Sequence, residues 1–268
     1  MTLSLKKGIG ISLVRQPWSS KLFNWYKRNA AARVFRQPIA LRLSLPVVSF
    51  TFDDFPQSAL HLGGAILKSY GLAGTYYASL GLLGLDSVSG RLCTRDDLAA
   101  ALEQGHELGC HTFSHCHAWD TDGVTFEHSI VENQVALAEI IPGASFRSLA
   151  YPQSLPRPSV KRACARHFVC CRSGGQTFNA GKTDLNHLSA YFLEKAGENI
   201  QAVKDLIEHN KRSNGWLIFA THDVSPNPSP YGCSPTFFEA VIRYAAESGA
   251  RILPVVTAVE AIQRARVT

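Results

Sequence analysis

The sequence predicts an α/β domain built on a parallel sheet, either open or closed into a barrel. Three observations carry that expectation. From residue 46 onward, short apolar stretches rich in β-branched and aromatic residues alternate with stretches of helical spacing. A chain of 268 residues with 46% apolar residues is long enough for one large α/β domain with a full core, or for two small ones. No glycine-rich phosphate loop follows the first strand, which counts against a nucleotide-binding doubly wound fold.

Residues 1–44 stand apart from this alternation. Trp18, Leu22, Phe23, Trp25, Tyr26 and Val34 are scattered among lysines and arginines in a region of helical character. The favoured expectation is a helix that closes the bottom of the domain with its aromatics as core. Its rival is an interfacial helix resting on anionic lipid. The first strand is expected over 46–52, followed by a helix over 59–70 that stops at Gly71. Strands follow at 75–78 and 107–111, separated by a helix over 96–104 that Thr94 starts and Gly105 ends. A helix over 126–140 is stopped by Pro142-Gly143. Beyond it come a strand at 146–151, a helix at 159–166 and strands at 168–171 and 188–193. A helix over 200–211, a strongly apolar strand over 216–221, a helix over 235–248, a strand over 251–256 and a helix over 258–266 complete the chain.

The net charge of +6 is moderate, but the first 42 residues contain Lys6, Lys7, Arg15, Lys21, Lys27, Arg28, Arg33, Arg36 and Arg42 and no acid. That asymmetry suits an anionic partner such as a membrane surface or an acidic glycan. No nucleic-acid-binding module is recognisable. The seven cysteines are odd in number, include no Cys-x-x-Cys pair and place two side by side at Cys170-Cys171, so free thiols are expected. Met1 to Pro17 contains no apolar run of signal-peptide length, and the expected location is the cytoplasm, with peripheral contact at the inner face of the membrane.

Polar residues collect where strands end. Asp53 and Asp54 follow the first strand, His111 and His115 the third, Tyr151 the fourth and His222-Asp223 the seventh. In a parallel barrel those C-terminal ends form one rim, where active sites are built. Two carboxylates at the end of an apolar strand cost several kcal/mol, roughly, unless a cation or hydrogen-bond donors compensate. Two imidazoles four residues apart fall on one side of a helical turn and can reach one metal ion. With Asp54 as the carboxylate, His111 and His115 give three protein ligands and leave a position open, the arrangement of a catalytic zinc site. Cys110 and Cys116 flank the pair and are expected in the core, and His117 and His128 near the surface. If 216–221 is a strand, alternation puts Ile218 and Ala220 on the face of His222, as an apolar wall beside it.

Four stretches together resemble the polysaccharide deacetylases of carbohydrate esterase family 4, the group that includes the nodulation-factor chitooligosaccharide deacetylase. They are Thr51-Phe52-Asp53-Asp54, the run from Gly105 to His115, Ala150-Tyr151-Pro152, and the run from Leu217 to Asp223. The resemblance covers residues 45–260. It implies a distorted (β/α)7 barrel as catalytic domain, a divalent metal (most often zinc) and removal of acyl groups from N-acetylated sugars. Position by position it implies Asp53 as general base, Asp54, His111 and His115 as metal ligands, and His222 as general acid. Tyr151 and Gln153 fall where the oxyanion and substrate contacts lie, Gln153 through its backbone N–H. The chain departs from the family at two places. Ala150 occupies the position of the arginine that orients the base, leaving Arg147 as a substitute about 10 Å away along a strand. The Asp/Trp pair that tunes the acid is not evident near Asp184, leaving Asp223 as a candidate support. The expected substrate is an amino sugar in a surface-glycan, lipid-linked or nucleotide-linked precursor. The alternatives are a deformylase, an O-deacetylase or another amidase of the same fold, or a catalytically weak sugar-binding relative.

Overall fold

A computed structural model describes residues 18–153 and 155–265. The basic residues before Trp18, the side chains of Trp18 and Lys21, Ser154, and the expected helix end at Arg266 lie outside the described residues.

The sheet strands are β1 (Val47–Phe52), β2 (Thr75–Ala78), β3 (Glu107–Cys110), β4 (Ser148–Ala150), β5 (Cys170–Arg172), β6 (Tyr191–Phe192), β7 (Trp216–Thr221) and β8 (Arg251–Ile252). The helices are α1 (Trp18–Arg33), α2 (Ala65–Ser69), α3 (Arg95–Glu103), α4 (Gly123–Ile140), α5 (Pro158–Cys164), α6 (Ile200–Arg212), α7 (Pro235–Glu247) and α8 (Val255–Arg264). Seven parallel strands run in the order β6-β7-β1-β2-β3-β4-β5, as crossover helices between strands require. The sheet curls into a partial barrel. Its edge strands β5 and β6 are joined by irregular backbone, with Ser173 N donating to Leu188 O at 2.8 Å and Leu188 N to Cys171 O at 2.9 Å. β1 pairs with β7 along its whole length, but its other edge is shared: β8 takes Val47 and Val48, and β2 takes Thr51 and Phe52.

Strand alternation divides the apolar residues into two layers. Val48, Phe50 and Phe52 of β1 point outward, with Phe238 of α7 against both rings at 5.7 and 5.6 Å. Val47 points inward with Trp216, Ile218 and Ala220 of β7, and α8 closes the bottom of the barrel with Val255, Val259 and Ile262. The Trp216 indole N–H donates to Ser49 Oγ at 2.9 Å, so the one polar edge of this large buried ring is satisfied. Cys170 faces inward and Cys171 outward, and all seven cysteines are free.

Some boundaries differ from the sequence expectation. Residues 59–70 open with a π-helical turn over Ala59–Gly64 before α2. The last strand is only Arg251–Ile252, because Pro254 caps α8 and the helix begins at Val255. Two short antiparallel pairs were not anticipated: Pro38–Ala40 with Lys182–Asp184, and the hairpin of Asp86–Ser87 with Gly90–Arg91.

The N-terminal helix is the larger correction. Leu22, Phe23, Trp25 and Tyr26 are exposed, so its aromatics are not core. Phe23 and Tyr26 meet the edge of Trp119, in the loop after β3, with ring centroids 6.4 and 6.1 Å apart. The helix is held instead at its end. The fully buried Lys161 ammonium donates to Ala31 O at 2.8 Å and to Asp184 at 2.6 Å. Small alanines allow that close approach, and the bulky first half of α1 lies beyond it.

Candidate active site

The C-terminal ends of β1, β3, β4 and β7 converge on a cavity of about 500 Å³, with the chain from Phe192 to Lys195 and the hairpin residues Ser87 to Ser89 at its walls. Asp53 continues the inward face of β1, its N–H donating to Thr221 O at 2.9 Å. Asp54 and Phe55 then adopt left-handed backbone angles, φ 59° and 50°, which turn the chain sharply. Phe55 is driven into the core against Tyr76, at 4.7 Å between centroids, and Asp54 is left on the rim.

His111 and His115 reach the same place by a different geometry from the helical turn anticipated. The segment is a loop in which Thr112 and His115 have φ 62° and 53°, tied down by Cys116 N donating to Thr112 Oγ1 at 2.9 Å and Phe113 N donating to Ser129 O at 3.0 Å. Nε2 of His111 and of His115 lie 3.4 and 3.3 Å from Asp54 Oδ1. The three ligand atoms all lie within 4.8 Å of one another, a grouping that suits one divalent ion. The carbonyl of Ala150 can only accept, so His111 donates to it from Nδ1 at 2.8 Å, and the lone pair is on Nε2, facing Asp54. Burial pushes the His111 imidazole down to about 4, against the opposing pull of Asp53 and Asp54, so it is neutral as a metal ligand must be. Among the described residues, the donor set fits a nitrogen- and oxygen-liganded metal.

Asp53 is 5% exposed and receives Arg172 from the end of β5, Nη2 donating to Oδ1. Burial alone would raise this carboxyl. Arg172 first, then His111, His222 and His115, outweigh it and hold Asp53 below the usual carboxylate range. The guanidinium is itself enclosed, lying over the rings of Tyr77 and Phe192 at 5.0 and 5.6 Å. Arg172 therefore supplies Asp53 with the arginine partner that position 150, an alanine, cannot. Arg147 does not: it is half exposed and paired with Glu260 at 2.6 Å, at the opposite end of the barrel among the residues around Pro254 and Val256.

His222 stands at the end of β7, its Nδ1 3.3 Å from the Tyr231 carbonyl and its Nε2 3.9 Å from Asp54 Oδ2. Phe192 stacks on one side at 6.4 Å and Tyr231 is tilted at 5.3 Å on the other. Asp223 does not touch the imidazole. It accepts from Ser229 N at 2.9 Å and Ser229 Oγ at 2.5 Å, and so clamps the loop whose Tyr231 carbonyl orients His222. Glu194, raised by burial, lines the cavity within electrostatic reach of His222.

Of the remaining expected contacts, Gln153 lines the cavity with φ 62°. Tyr151 lines it too, but its hydroxyl is buried and donates to Asn186 O at 3.1 Å, so the phenol has a structural task. Ile218 is a correction. It is packed inside the barrel with Val47 and Trp216, deeper than the cavity floor, and the apolar walls come from Leu82, Leu92 and Phe192. Cys110 is buried and Cys116 half-buried, and neither joins the ligand group. Arg172, Glu194 and Phe192 were missed by sequence reasoning. The available signal was an arginine ending an apolar strand on its inward face, two residues after the inward Cys170.

Residues 42–167 match the family described as polysaccharide deacetylase. That stretch carries a polysaccharide deacetylase family domain. The barrel resembles a family 4 acetyl xylan esterase from Clostridium thermocellum solved with a cobalt ion, at 18% identity and TM-score 0.56, covering 79% of this chain and 89% of the other. A family 4 carbohydrate esterase from Streptomyces lividans in complex with acetate aligns at 15% identity and TM-score 0.53, covering 77% and 91%. A pseudoenzyme of the same family from Bacillus anthracis aligns at 10% identity and TM-score 0.56, covering 81% and 66%. At these identities the likeness is one of fold. No curated protein sequence matches the chain.

Proposed function

We propose that the polysaccharide deacetylase domain of this chain is a metal-dependent hydrolase that removes the N-acetyl group of an amino sugar carried on a glycan, lipid or nucleotide. The observation that supports this reading best is a buried, arginine-held Asp53 together with His222 beside the Asp54, His111 and His115 ligand group. When bound there, a divalent metal such as zinc supplies Lewis acidity at the acyl carbonyl and lowers the pKa of water toward about 7.

The chain's own residues do the rest. Asp53, ionised because Arg172 holds Oδ1, accepts the proton of the attacking water at Oδ2. The backbone N–H of Gln153 is the donor we assign to the developing oxyanion. Leu82, Leu92 and Phe192 enclose the acyl methyl and thin the water around it. His222, whose Nδ1 is turned to the Tyr231 carbonyl, delivers a proton from Nε2 to the leaving amine, which is too basic to depart unprotonated.

The test compares N-acetyl, N-formyl and O-acetyl sugars by product release. N-acetyl turnover is expected to dominate. Asp53→Asn is expected to lower kcat by about 10²–10⁴-fold with metal content unchanged. His111→Ala is expected to lose stoichiometric metal. Preference for O-acetyl or N-formyl substrates would replace the N-deacetylase assignment, and bound metal without hydrolysis of any acyl sugar would place the chain with the pseudoenzymes of its fold.

A further inference from the structure

The first half of α1 is an aromatic and basic surface that meets the described domain chiefly at Trp119. Leu22, Phe23, Trp25 and Tyr26 are 65%, 52%, 62% and 54% exposed, far above what a helix packed as core would leave. Lys27 lies over Phe23 at 4.6 Å and over Trp119 at 5.1 Å, so cation and aromatics form one patch. Trp119 belongs to the loop that carries His111 and His115, so the patch abuts the rim on which the active site opens. That rim also exposes Leu85 and Val88 in and beside the hairpin after β2, Val124 in the first turn of α4, and Tyr231 beside His222.

We infer that this face docks on an anionic lipid bilayer, with the active-site rim turned to the membrane surface. Three features favour a bilayer over another protein. The exposed residues are Trp, Tyr, Phe and Leu with interspersed Lys and Arg, the composition of helices that lie in the interfacial layer. Residues 1–42 contain no acid, so the segment is attracted to anionic headgroups as a whole. Two acids on the adjoining rim are engaged locally: Asp86 with Arg91 at 3.5 Å, and Asp122 as the cap of α4. No described helix is long and apolar enough to cross a membrane, so the contact is peripheral. Docking in this orientation presents the cavity to saccharides carried on membrane lipids, a consequence that rests on the deacetylase reading, whereas the docking itself does not.

The experiment is co-sedimentation of the full chain with phosphatidylcholine vesicles, with and without phosphatidylglycerol, beside turnover of soluble N,N'-diacetylchitobiose. Binding to the anionic vesicles is expected, weakening as salt rises. Leu22→Ser/Trp25→Ser and, separately, Lys27→Glu/Arg28→Glu are expected to weaken it by about tenfold or more, while the melting temperature and soluble-substrate turnover stay as in the parent. Binding unchanged in both variants, or no binding to anionic vesicles, overturns the inference. So does a dimer that the same variants dissociate, which would assign the patch to self-association. Loss of soluble turnover in the parent protein would count against the deacetylase reading alone.

Discussion

A carboxylate buried as deeply as Asp53 ordinarily holds its proton near neutrality and makes a poor base. Arg172 reverses this by placing a guanidinium on Oδ1, and its own position over Tyr77 and Phe192 keeps that charge from being spent on solvent. Removing it leaves the burial penalty unopposed apart from the histidines, so the Asp53 pKa rises. Arg172→Ala is expected to move the acid limb of the kcat/KM profile upward and to lower activity most at the acid end, with Arg172→Lys restoring part of the loss. A pH–rate profile with unchanged metal content checks this, and a limb that stays in place would mean that Arg172 only fills space. The partners are 119 residues apart, which is why the pair was not legible in the sequence. Asp53, Asp54, His111 and His115 were legible because each sits in a short motif at a strand end. Arg172 belongs to no motif, and only the curl of the sheet brings β5 round to face β1.

Loops rather than strands set the finer geometry of the site. The spacing of His111 and His115 is compatible with a helical turn and with the observed loop, and left-handed angles at Thr112 and His115 decide between them. Such angles leave little trace when the residues are not glycine. The loop after β7 is a second case. Asp223 and Ser229 close it, and Gly232 passes so near that an added Cβ would sit 2.3 Å from Asp223 Oδ1. Gly232→Ala must therefore push Asp223 aside, release the Tyr231 carbonyl and misplace His222. A loss of about 10²-fold in kcat is expected for a shift near 1 Å, with metal bound as before. Asp223→Asn, which keeps the side chain's shape, is expected to lose less. Metal analysis beside single-turnover rates separates this from damage to the ligand group, since a loss of metal in Gly232→Ala would show that the loop supports Asp54 instead.

At the scale of the molecule the barrel has two unlike ends, and chemistry has been kept to one of them. The alternation of strands and helices made the barrel legible, and β2 and β7 were placed to the residue because short runs of strand-forming residues that begin just after a glycine have few other structures to adopt. The N-terminal helix was not legible, since burial of an isolated helix depends on what its neighbours offer, and here the described ones offer little beyond Lys161 and Trp119. The bottom end is closed by α8, whose first turn is received by polar groups: Val255 N donates to Thr75 Oγ1 at 3.0 Å and Val256 N to Glu107 at 2.8 Å. Glu107 also accepts from Ser148 Oγ at 2.8 Å, yet burial outweighs both donors and pushes its carboxyl up to about 7. The folded protein thus holds a proton that the unfolded chain sheds above about 4.5. The stabilisation this gives is fully present below about 4.5 and is lost as pH rises through about 7, to a maximum of about 3 kcal/mol that solvent in the adjoining cavity reduces. Gln in place of Glu107 can still accept from Val256 N and donate to Ser148 Oγ while carrying no charge. Thermal denaturation of Glu107→Gln is therefore expected to fall less between pH 5 and pH 8 than that of the parent, by about 1–3 kcal/mol, with the two proteins nearest in stability at the acid end. Parallel pH profiles would show that Glu107 is ionised without cost, its charge met by the α8 N-terminus, and that the polar closure of the barrel is as strong at neutral pH as in acid.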